Sequence, residues 1–349
     1  MTTPTVHLDY PVNSLVSYHY FAKADLTSLA EGGLRIIADS GAYSAASLGT
    51  AIDRDAFASW AIAQRHNLCW VASLDVIGDT EGTWRNYRYM RHQRGLDVVP
   101  TVHYGADPAA LDRYAHEGVD FLGLGGMVPH KGQPDKLLRW CVTMFRYART
   151  NHPGMRFHGW GVTHPRLVDN LPWWSVDSSG AGAAYRYGRA TIYNPATGKN
   201  ATFSMDARSA HAHGDLLRKH YGLNPGDVSA SSRENRALHV RLGARSMQLK
   251  EAWLRNRFKV TPPTYGDSAP TTQGPNIHHV DTDPGHVQCL SSEHVGAARP
   301  SLTTHTHLCP NIHFVDAAPQ HLQHLIAPPQ RAKHPPRIRQ PVRAASDRP

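Results

Sequence analysis

The sequence predicts an α/β protein: a (β/α)8, TIM-like barrel followed by a basic helical segment and a flexible C-terminal tail. Three observations support this. Eight short apolar runs recur in the first two hundred residues, as is typical of strands covered on both faces. Helical patterns separate most of them, which favours parallel strands joined by right-handed crossovers. Residues 259–349 then hold 14 of the 25 Pro. A doubly wound open sheet is the alternative architecture.

The predicted strands are runs of five to eight residues, rich in Val, Ile, Leu, Phe, Tyr and Trp, and bounded by turn-forming residues. They cover residues 14–21, 35–41, 69–76, 97–104, 120–126, 156–162, 173–179 and 190–194. A (β/α)8 barrel of about two hundred residues is at the short end of the usual length range for this fold.

Four helical patterns lie between these strands. Residues 53–66 carry Phe57 and Trp60 at helical spacing, and residues 80–94 are polar and amphipathic. Residues 107–118 have Pro108 just inside the helix start and Gly118 at its end. Residues 134–150 carry an apolar face of Leu137, Leu138, Cys141, Met144 and Phe145.

The rest of the chain divides into two regions, so the predicted domains are 1–205, 206–258 and 259–349. Ser231 to Glu234 form a capping box that opens a helix to Phe258. This helix has seven basic and two acidic residues, so it is either a packed helix with a solvated face or a phosphate-contacting surface. The tail composition is typical of disorder, but 275–290 and 310–325 match at 10 of 16 positions. This repeat, PNIHxVD, is either a docking motif for a protein partner or a neutral duplication.

Charge and cysteine content limit the function classes. The 37 basic and 28 acidic residues give a net charge of +9, which predicts attraction to polyanions. Four scattered cysteines do not form a disulfide framework, so we expect a reducing, cytoplasmic setting. No apolar run of about 18 residues predicts a membrane span, and no signal peptide is recognisable.

Carboxylates recur at the ends of the predicted strands. Asp39 ends the second strand, Asp75 the third and Asp177 the seventh. In a (β/α)8 barrel these ends meet at one rim, where functional residues cluster. A single such Asp is more often a helix cap, but three carboxylates together repel and favour acid, base or nucleophilic chemistry. Glycines beside them leave room for a flat ligand, and Trp160 is available to stack on it.

Several ordered motifs resemble the tRNA-guanine transglycosylase superfamily. The run from Asp39 to Ser44, DSGAYS, resembles that family's DSGGFQ. Leu124 to Met127, LGGM, is similar to LGGL, and residues 161–165, GVTHP, are similar to GVGTP. Asp177 stands where the family has its nucleophile. The resemblance covers about residues 14–189 and is closest to the DNA 7-deazaguanine transglycosylases of phages and bacterial modification systems.

The resemblance implies a base exchange with retention of configuration. Asp177 would attack the anomeric carbon and expel guanine, and Asp39 would act as general acid and base. Asp75 would bind the N1 and N2 edge of the base. The other implied base-binding residues are Ser40, Gly41, His103, Gly125, Gly126 and Trp160. His103 replaces the family's Gln, and Trp160 replaces a Met.

The implied partners are a 7-deazaguanine base such as preQ0 and double-stranded DNA with the target base flipped out. The modification would protect DNA from restriction nucleases, within the host cytoplasm if the protein is phage-encoded. We expect Arg186, Arg189, Arg241 and Arg245 to contact phosphates. No cofactor is predicted, because the family's CxCxxC zinc motif is missing. His211, His213 and His220 are weak candidates for zinc ligands, and Cys289 and Cys309 are weaker still. The alternatives are the same chemistry on tRNA, a metal-dependent barrel hydrolase using His103, His158 and His164, and a silent nucleic-acid-binding protein.

Overall fold

The computed structural model describes residues 5–9, 11–179, 187–228, 236–258 and 311–315, the last for its backbone only. The fold is mixed α/β, and its larger sheet is parallel throughout. The strands of this sheet are β1 (Asn13–Ser17), β2 (Arg35–Asp39), β3 (Leu68–Ala72), β4 (Val98–Val99), β5 (Thr101–His103), β6 (Phe121–Gly125), β7 (Arg156–Gly159), β8 (Ser175–Ser178) and β11 (Asn311–Val315). Seven of the eight predicted strand regions therefore form strands of one parallel sheet.

The two outermost strands of this sheet come from one stretch of chain. The strand order is β4-β3-β2-β1-β11-β8-β7-β6-β5, and only Pro100 separates β4 from β5. Pro100 has no N–H to donate to a neighbouring strand, but its carbonyl accepts from Gly123 N at 2.8 Å. On the other side Val99 O accepts from Ser73 N at 2.9 Å. The stretch Val98–His103 thus bonds to β3 through one half and to β6 through the other.

Aromatic rings from distant strands meet on one face of the sheet. Trp70 of β3 lies 5.5 Å from Phe121 of β6 and 5.2 Å from His158 of β7, measured between ring centroids. In a flat sheet of this order, β3 and β7 would be five strands apart, more than 20 Å at the usual spacing. The sheet is therefore strongly curved, with these rings on its concave face.

Helices connect the strands and cover the convex face. They are α1 (Tyr18–Phe21), α2 (Thr27–Glu31), α3 (Ala42–Ser47), α4 (Arg54–Gln64), α5 (Thr80–Arg88), α6 (Ala110–His116), α7 (Pro134–Asn151) and α8 (Pro165–Val168). Asp53 and Asp79 cap α4 and α5, each carboxylate accepting from a backbone N–H in the first turn. The predicted apolar faces are the buried ones: Phe57 and Trp60 on α4, and Leu137 on α7, are all buried.

The eighth strand is not where the sequence predicts it. Residues 190–194 belong to β9 (Arg189–Asn194), which pairs antiparallel with β10 (Lys199–Ser204) in a separate two-stranded sheet. The place between β8 and β1 is taken by β11, which lies in the second copy of the repeat. The Asn-Pro-Ala-Thr-Gly turn after Asn194 closes a local hairpin, which needs no crossover helix. The tail predicted to be flexible thus supplies a strand of the main sheet.

A second core lies beside the sheet. It joins the β9–β10 hairpin, Val6, and the helices α9 (Ala207–His211), α10 (Gly214–Tyr221), α11 (Pro225–Val228) and α12 (Arg236–Arg257). Helix α12 contacts both cores, burying Leu238 and Leu242 in the second and Val240 and Leu254 in the first. Helix α12 is therefore packed against both cores, and the predicted capping box, Ser231 to Glu234, lies outside the described residues. No described helix has the length and hydrophobicity to cross a membrane.

Candidate active site

Three carboxylates gather at the carboxyl ends of the parallel strands. Asp39 is the last residue of β2, Asp177 is the third residue of β8, and Asp75 follows β3 by three residues. Alternate strand residues share a face, so Asp39 lies on the face of Ile37, which contacts the ring cluster around Trp70. The charges of both Asp177 and Asp75 act on Asp39. The predicted trio is therefore one electrostatic cluster.

Asp39 is the perturbed member of this cluster. Burial first, and then the negative charges of Asp177 and Asp75, raise the pKa of its carboxyl from 3.8 to about 7. The Ser17 hydroxyl and the Gly41 amide offset part of this rise. Its Oδ1 is buried without a hydrogen-bond partner among the described residues. A carboxyl group that is half-protonated near neutral pH can both donate and accept a proton.

Asp177 is held by two donors on the same oxygen. Gly161 N donates to its Oδ1 at 2.7 Å, and His158 Nε2 lies 3.3 Å from that atom. No described residue gives a hydrogen bond to Oδ2. Asp177 is buried, with 9% of its surface exposed. One carboxylate oxygen is thus anchored and the other remains available for a reacting atom.

Asp75 and His103 form a pair across two strands. His103 Nε2 lies 2.9 Å from Asp75 Oδ2, and both side chains are partly buried. His103 ends β5, next to the carboxyl end of β6, where Tyr104 N donates to Gly125 O at 2.8 Å. The structure therefore joins two of the predicted base-binding residues directly.

Trp160 occupies the space over the glycines of β6, where the sequence predicts room for a flat ligand. An added Cβ at Gly123 would lie 2.0 Å from Trp160 Nε1, and one at Gly125 would lie 3.1 Å from its Cδ1. The indole N–H donates to Thr101 Oγ1 at 3.0 Å, and the ring lies 4.2 Å from that of His158. The glycines of β6 thus accommodate the indole, which forms part of the floor of the site.

The remaining predicted base-binding residues lie around the same strand ends. Ser40 is buried, and its Oγ accepts from Ala42 N at 3.2 Å. Gly41 has φ +75°, and a Cβ there would lie 2.2 Å from Ser17 Oγ, so only glycine fits. Gly126, with φ +71°, is exposed beside His103.

The predicted phosphate contacts have different environments. Arg189 is exposed at the start of β9, and Arg186 lies outside the described residues. Arg241 Nε donates to Val6 O at 2.9 Å, and burial lowers its pKa. Arg245 is paired with Asp9, and its Nε donates to His220 O at 3.3 Å. The structure leaves Arg189 open to a ligand, whereas Arg241 and Arg245 fasten α12 to neighbouring segments.

Exposed aromatic and apolar side chains follow the ends of several strands of the main sheet; we call this set the aromatic rim, and the sequence did not predict it. The large hydrophobic side chains most exposed among the described residues all follow the carboxyl ends of β1, β2, β3 or β8 within about ten residues: Tyr20, Tyr43, Leu48, Val76, Ile77 and Tyr187. The three tyrosines in this set can present flat ring faces to a planar ligand, and the three aliphatic side chains add apolar surface. Their position directly after strand ends was the available signal.

Metal ligands do not converge among the described residues: no group of three or more His, Cys, Asp or Glu side chains is arranged to hold an ion. Of the zinc candidates, His211, His213 and His220 lie in or beside α9 and α10, and Cys289 and Cys309 lie outside the described residues. Neither Cys69 nor Cys141 is part of a disulfide bond. The metal-dependent hydrolase thus gains no geometric support in this region.

No protein-family model, curated protein or solved structure matches the chain. The chemical capacity of the site therefore follows from its geometry. The carboxyl ends of the curved parallel sheet carry three groups: the anchored carboxylate of Asp177, the carboxyl of Asp39, and the Asp75–His103 pair. This set can perform a displacement at carbon with proton transfer to and from the leaving group.

Proposed function

We propose that this protein is a DNA-guanine transglycosylase that exchanges guanine in DNA for a 7-deazaguanine base such as preQ0. The observation that carries the proposal is the pairing of Asp39, whose pKa is raised to about 7, with Asp177, whose Oδ1 is anchored and whose Oδ2 is not. A nucleophile and an acid–base group in one cluster are what a two-step base exchange requires.

In the first step, Asp177 Oδ2 attacks C1′ of the target nucleotide as the bond from C1′ to the guanine nitrogen breaks. Asp39 gives its proton to the departing guanine. In the second step, the carboxylate of Asp39 takes a proton from the incoming 7-deazaguanine, whose nitrogen attacks C1′ and releases Asp177. Two displacements at one carbon retain its configuration, and no oxidant, reductant or external acid is consumed.

The residues around Asp39 and Asp177 recognise the base. Asp75 accepts hydrogen bonds from the N1 and N2 edge of the base, with His103 fixing its other oxygen. The backbone at Gly125 and Gly126 binds the exocyclic oxygen. Trp160 and the aromatic rim provide stacking surfaces once the base has left the duplex, a step that costs a few kcal/mol.

In this proposal the main sheet closes into an eight-stranded barrel. The segments β4 and β5 count as one strand interrupted at Pro100, and β11 takes the eighth place. The strand order and the ring contacts of Trp70 with Phe121 and His158 support closure. A barrel would bring all the strand ends to one mouth, where such enzymes have their active sites.

The resemblance to phage enzymes supports DNA as the substrate and protection from restriction nucleases as the purpose, in the cytoplasm of the host cell. Arg189, exposed at the start of β9, is the candidate for a phosphate contact. The tail repeats have a structural role in this proposal through β11, and docking of a protein partner remains a hypothesis for the first copy. The alternative substrate is tRNA, and the experiment below distinguishes it from DNA.

The test is a base-exchange assay. Guanine-labelled double-stranded DNA and tRNA are each incubated with the protein and preQ0, and released label is counted. We expect release from DNA, abolished by Asp177→Asn and retained by Asp215→Asn, whose side chain is fully exposed. Release from tRNA alone would transfer the proposal to tRNA, and release from neither, or release unaffected by Asp177→Asn, would overturn it.

A further inference from the structure

His158 lies between two polar partners in the interior of the sheet. Its Nδ1 is 2.6 Å from Ser175 Oγ and its Nε2 is 3.3 Å from Asp177 Oδ1. The imidazole and Ser175 are both fully buried. Trp70 and Trp160 pack against the imidazole with ring centroids 5.2 and 4.2 Å away. Both partners are on β8, two residues apart, so they lie on the same face of that strand.

The partners determine which nitrogen carries the proton. Asp177 Oδ1 already acts as an acceptor for Gly161 N, so we assign Nε2 as a second donor to the same oxygen. Burial lowers the pKa of His158, which keeps the ring neutral and leaves Nδ1 as an acceptor. Nδ1 therefore accepts from the Ser175 hydroxyl, and the proton order is Ser175 to His158 to Asp177. The direction of each hydrogen bond is set by chemistry rather than by distance alone.

We propose that Ser175 and His158 are positioning residues that hold Asp177 Oδ1 so that Oδ2 faces the reacting carbon. His158 and the Gly161 amide bind the same oxygen from two directions, which fixes the plane of the carboxylate. Rotation about the two side-chain bonds of an aspartate would otherwise let it sample orientations in which neither oxygen is in line for attack. The role parallels the third group that orients the base of a hydrolytic triad. The predicted effect on the rate rests on the proposed function, whereas the order of the hydrogen bonds does not.

Two amide substitutions separate the two contacts. In His158→Gln the side-chain amide nitrogen reaches about where Nε2 lies, so the donor to Asp177 is kept and the contact with Ser175 is lost. In His158→Asn the shorter amide reaches only about where Nδ1 lies, so the contact with Ser175 is kept and the donor to Asp177 is lost. Both replace one buried polar group by another, so they form a matched pair with similar costs in stability.

The experiment combines a direct readout with kinetics. Nitrogen-15 NMR of the full chain at pH 7 should show His158 neutral and protonated at Nε2; a proton at Nδ1 or an imidazolium would overturn the proposal. In the exchange assay, kcat should fall roughly 100-fold in His158→Asn with KM unchanged, and less than about tenfold in His158→Gln. Equal losses in the two variants would also overturn it. If the wild type exchanges no base, the proposed function fails, while the tautomer still decides the hydrogen-bond order.

Discussion

His103 Nε2 lies 2.9 Å from Asp75 Oδ2, a contact that joins the end of β5 to the loop after β3. In the chain these residues are 28 positions apart: His103 is the last residue of β5, and Asp75 follows β3. The histidine engages one carboxylate oxygen and leaves the other for a ligand. Carboxylate oxygens accept hydrogen bonds, so in the proposed function Asp75 suits a base edge that carries two N–H donors, as guanine does.

Asp75→Asn should weaken base recognition. The amide can present only one acceptor, so a charged hydrogen bond to the base is lost, worth about 1.5–3 kcal/mol. We therefore expect KM for the incoming base to rise roughly 10- to 150-fold, with a smaller change in kcat. Kinetics of preQ0 incorporation at saturating DNA measure this, and Asp215→Asn is the control. An unchanged KM would show that Asp75 does not contact the base.

Asp39→Asn should change how stability depends on pH. The pKa of Asp39 is raised from 3.8 to about 7, so between these values the folded state holds a proton that the unfolded state has released. The wild type therefore loses unfolding free energy as pH rises through this window, by at most roughly 4 kcal/mol and less for a partly exposed side chain. The neutral Asn has no such loss. Urea unfolding at pH 4.5 and 7.5 should show the variant gaining stability relative to the wild type; equal differences at both pH values would contradict the raised pKa.

Gly123→Ala should disturb the floor of the site. The new Cβ would lie 2.0 Å from Trp160 Nε1, so the indole must move, at a cost of about 1–3 kcal/mol. Since the indole packs against His158, exchange activity should fall as well. Thermal unfolding and the exchange assay check both effects. Gly132→Ala is the matched control, because a Cβ there meets nothing within 4 Å and its φ is not left-handed. Equal effects at the two glycines would refute the packing.

The two copies of the repeat offer a matched pair of proline substitutions. Ile312 pairs with Val176 inside the parallel sheet, so Ile312→Pro removes a ladder hydrogen bond from a central strand. We expect unfolding free energy to fall by about 2 kcal/mol or more. Ile277→Pro, in the same PNIH context, should change it by less than about 0.5 kcal/mol. Chemical unfolding of both full-length variants shows which copy of the repeat supplies the strand between β8 and β1. A larger loss of unfolding free energy for Ile277→Pro would show that it is the first copy.

The sequence predicted the local elements and the grouping of the three carboxylates better than the long-range pairings of strands. Apolar runs between helical patterns located seven strands, because such strands are covered on both faces regardless of their neighbours. The grouping of Asp39, Asp75 and Asp177 followed from strand ends meeting at one edge. These inferences need only local pattern and topology.

What could not be predicted depends on contacts between distant residues. The strand β11 carries no stronger pattern than its duplicate at 276–280, so the sequence could not select it for the place between β8 and β1. Arg241 and Arg245 gave α12 a basic sequence, but their partners Val6 and Asp9 are more than 200 residues away. Trp160 fills the space over Gly123, a contact between neighbouring strands that the local pattern of the sequence does not show.

The most direct test of the central claim is to trap the covalent intermediate. Incubating the protein with guanine-containing DNA, denaturing it and digesting both components should yield a nucleotide adduct on the peptide that carries Asp177, detected by mass spectrometry. We expect the adduct to disappear when preQ0 is added before denaturation and not to form with Asp177→Asn. An adduct on Asp39, or guanine release by the wild type with no adduct on any peptide, would contradict it.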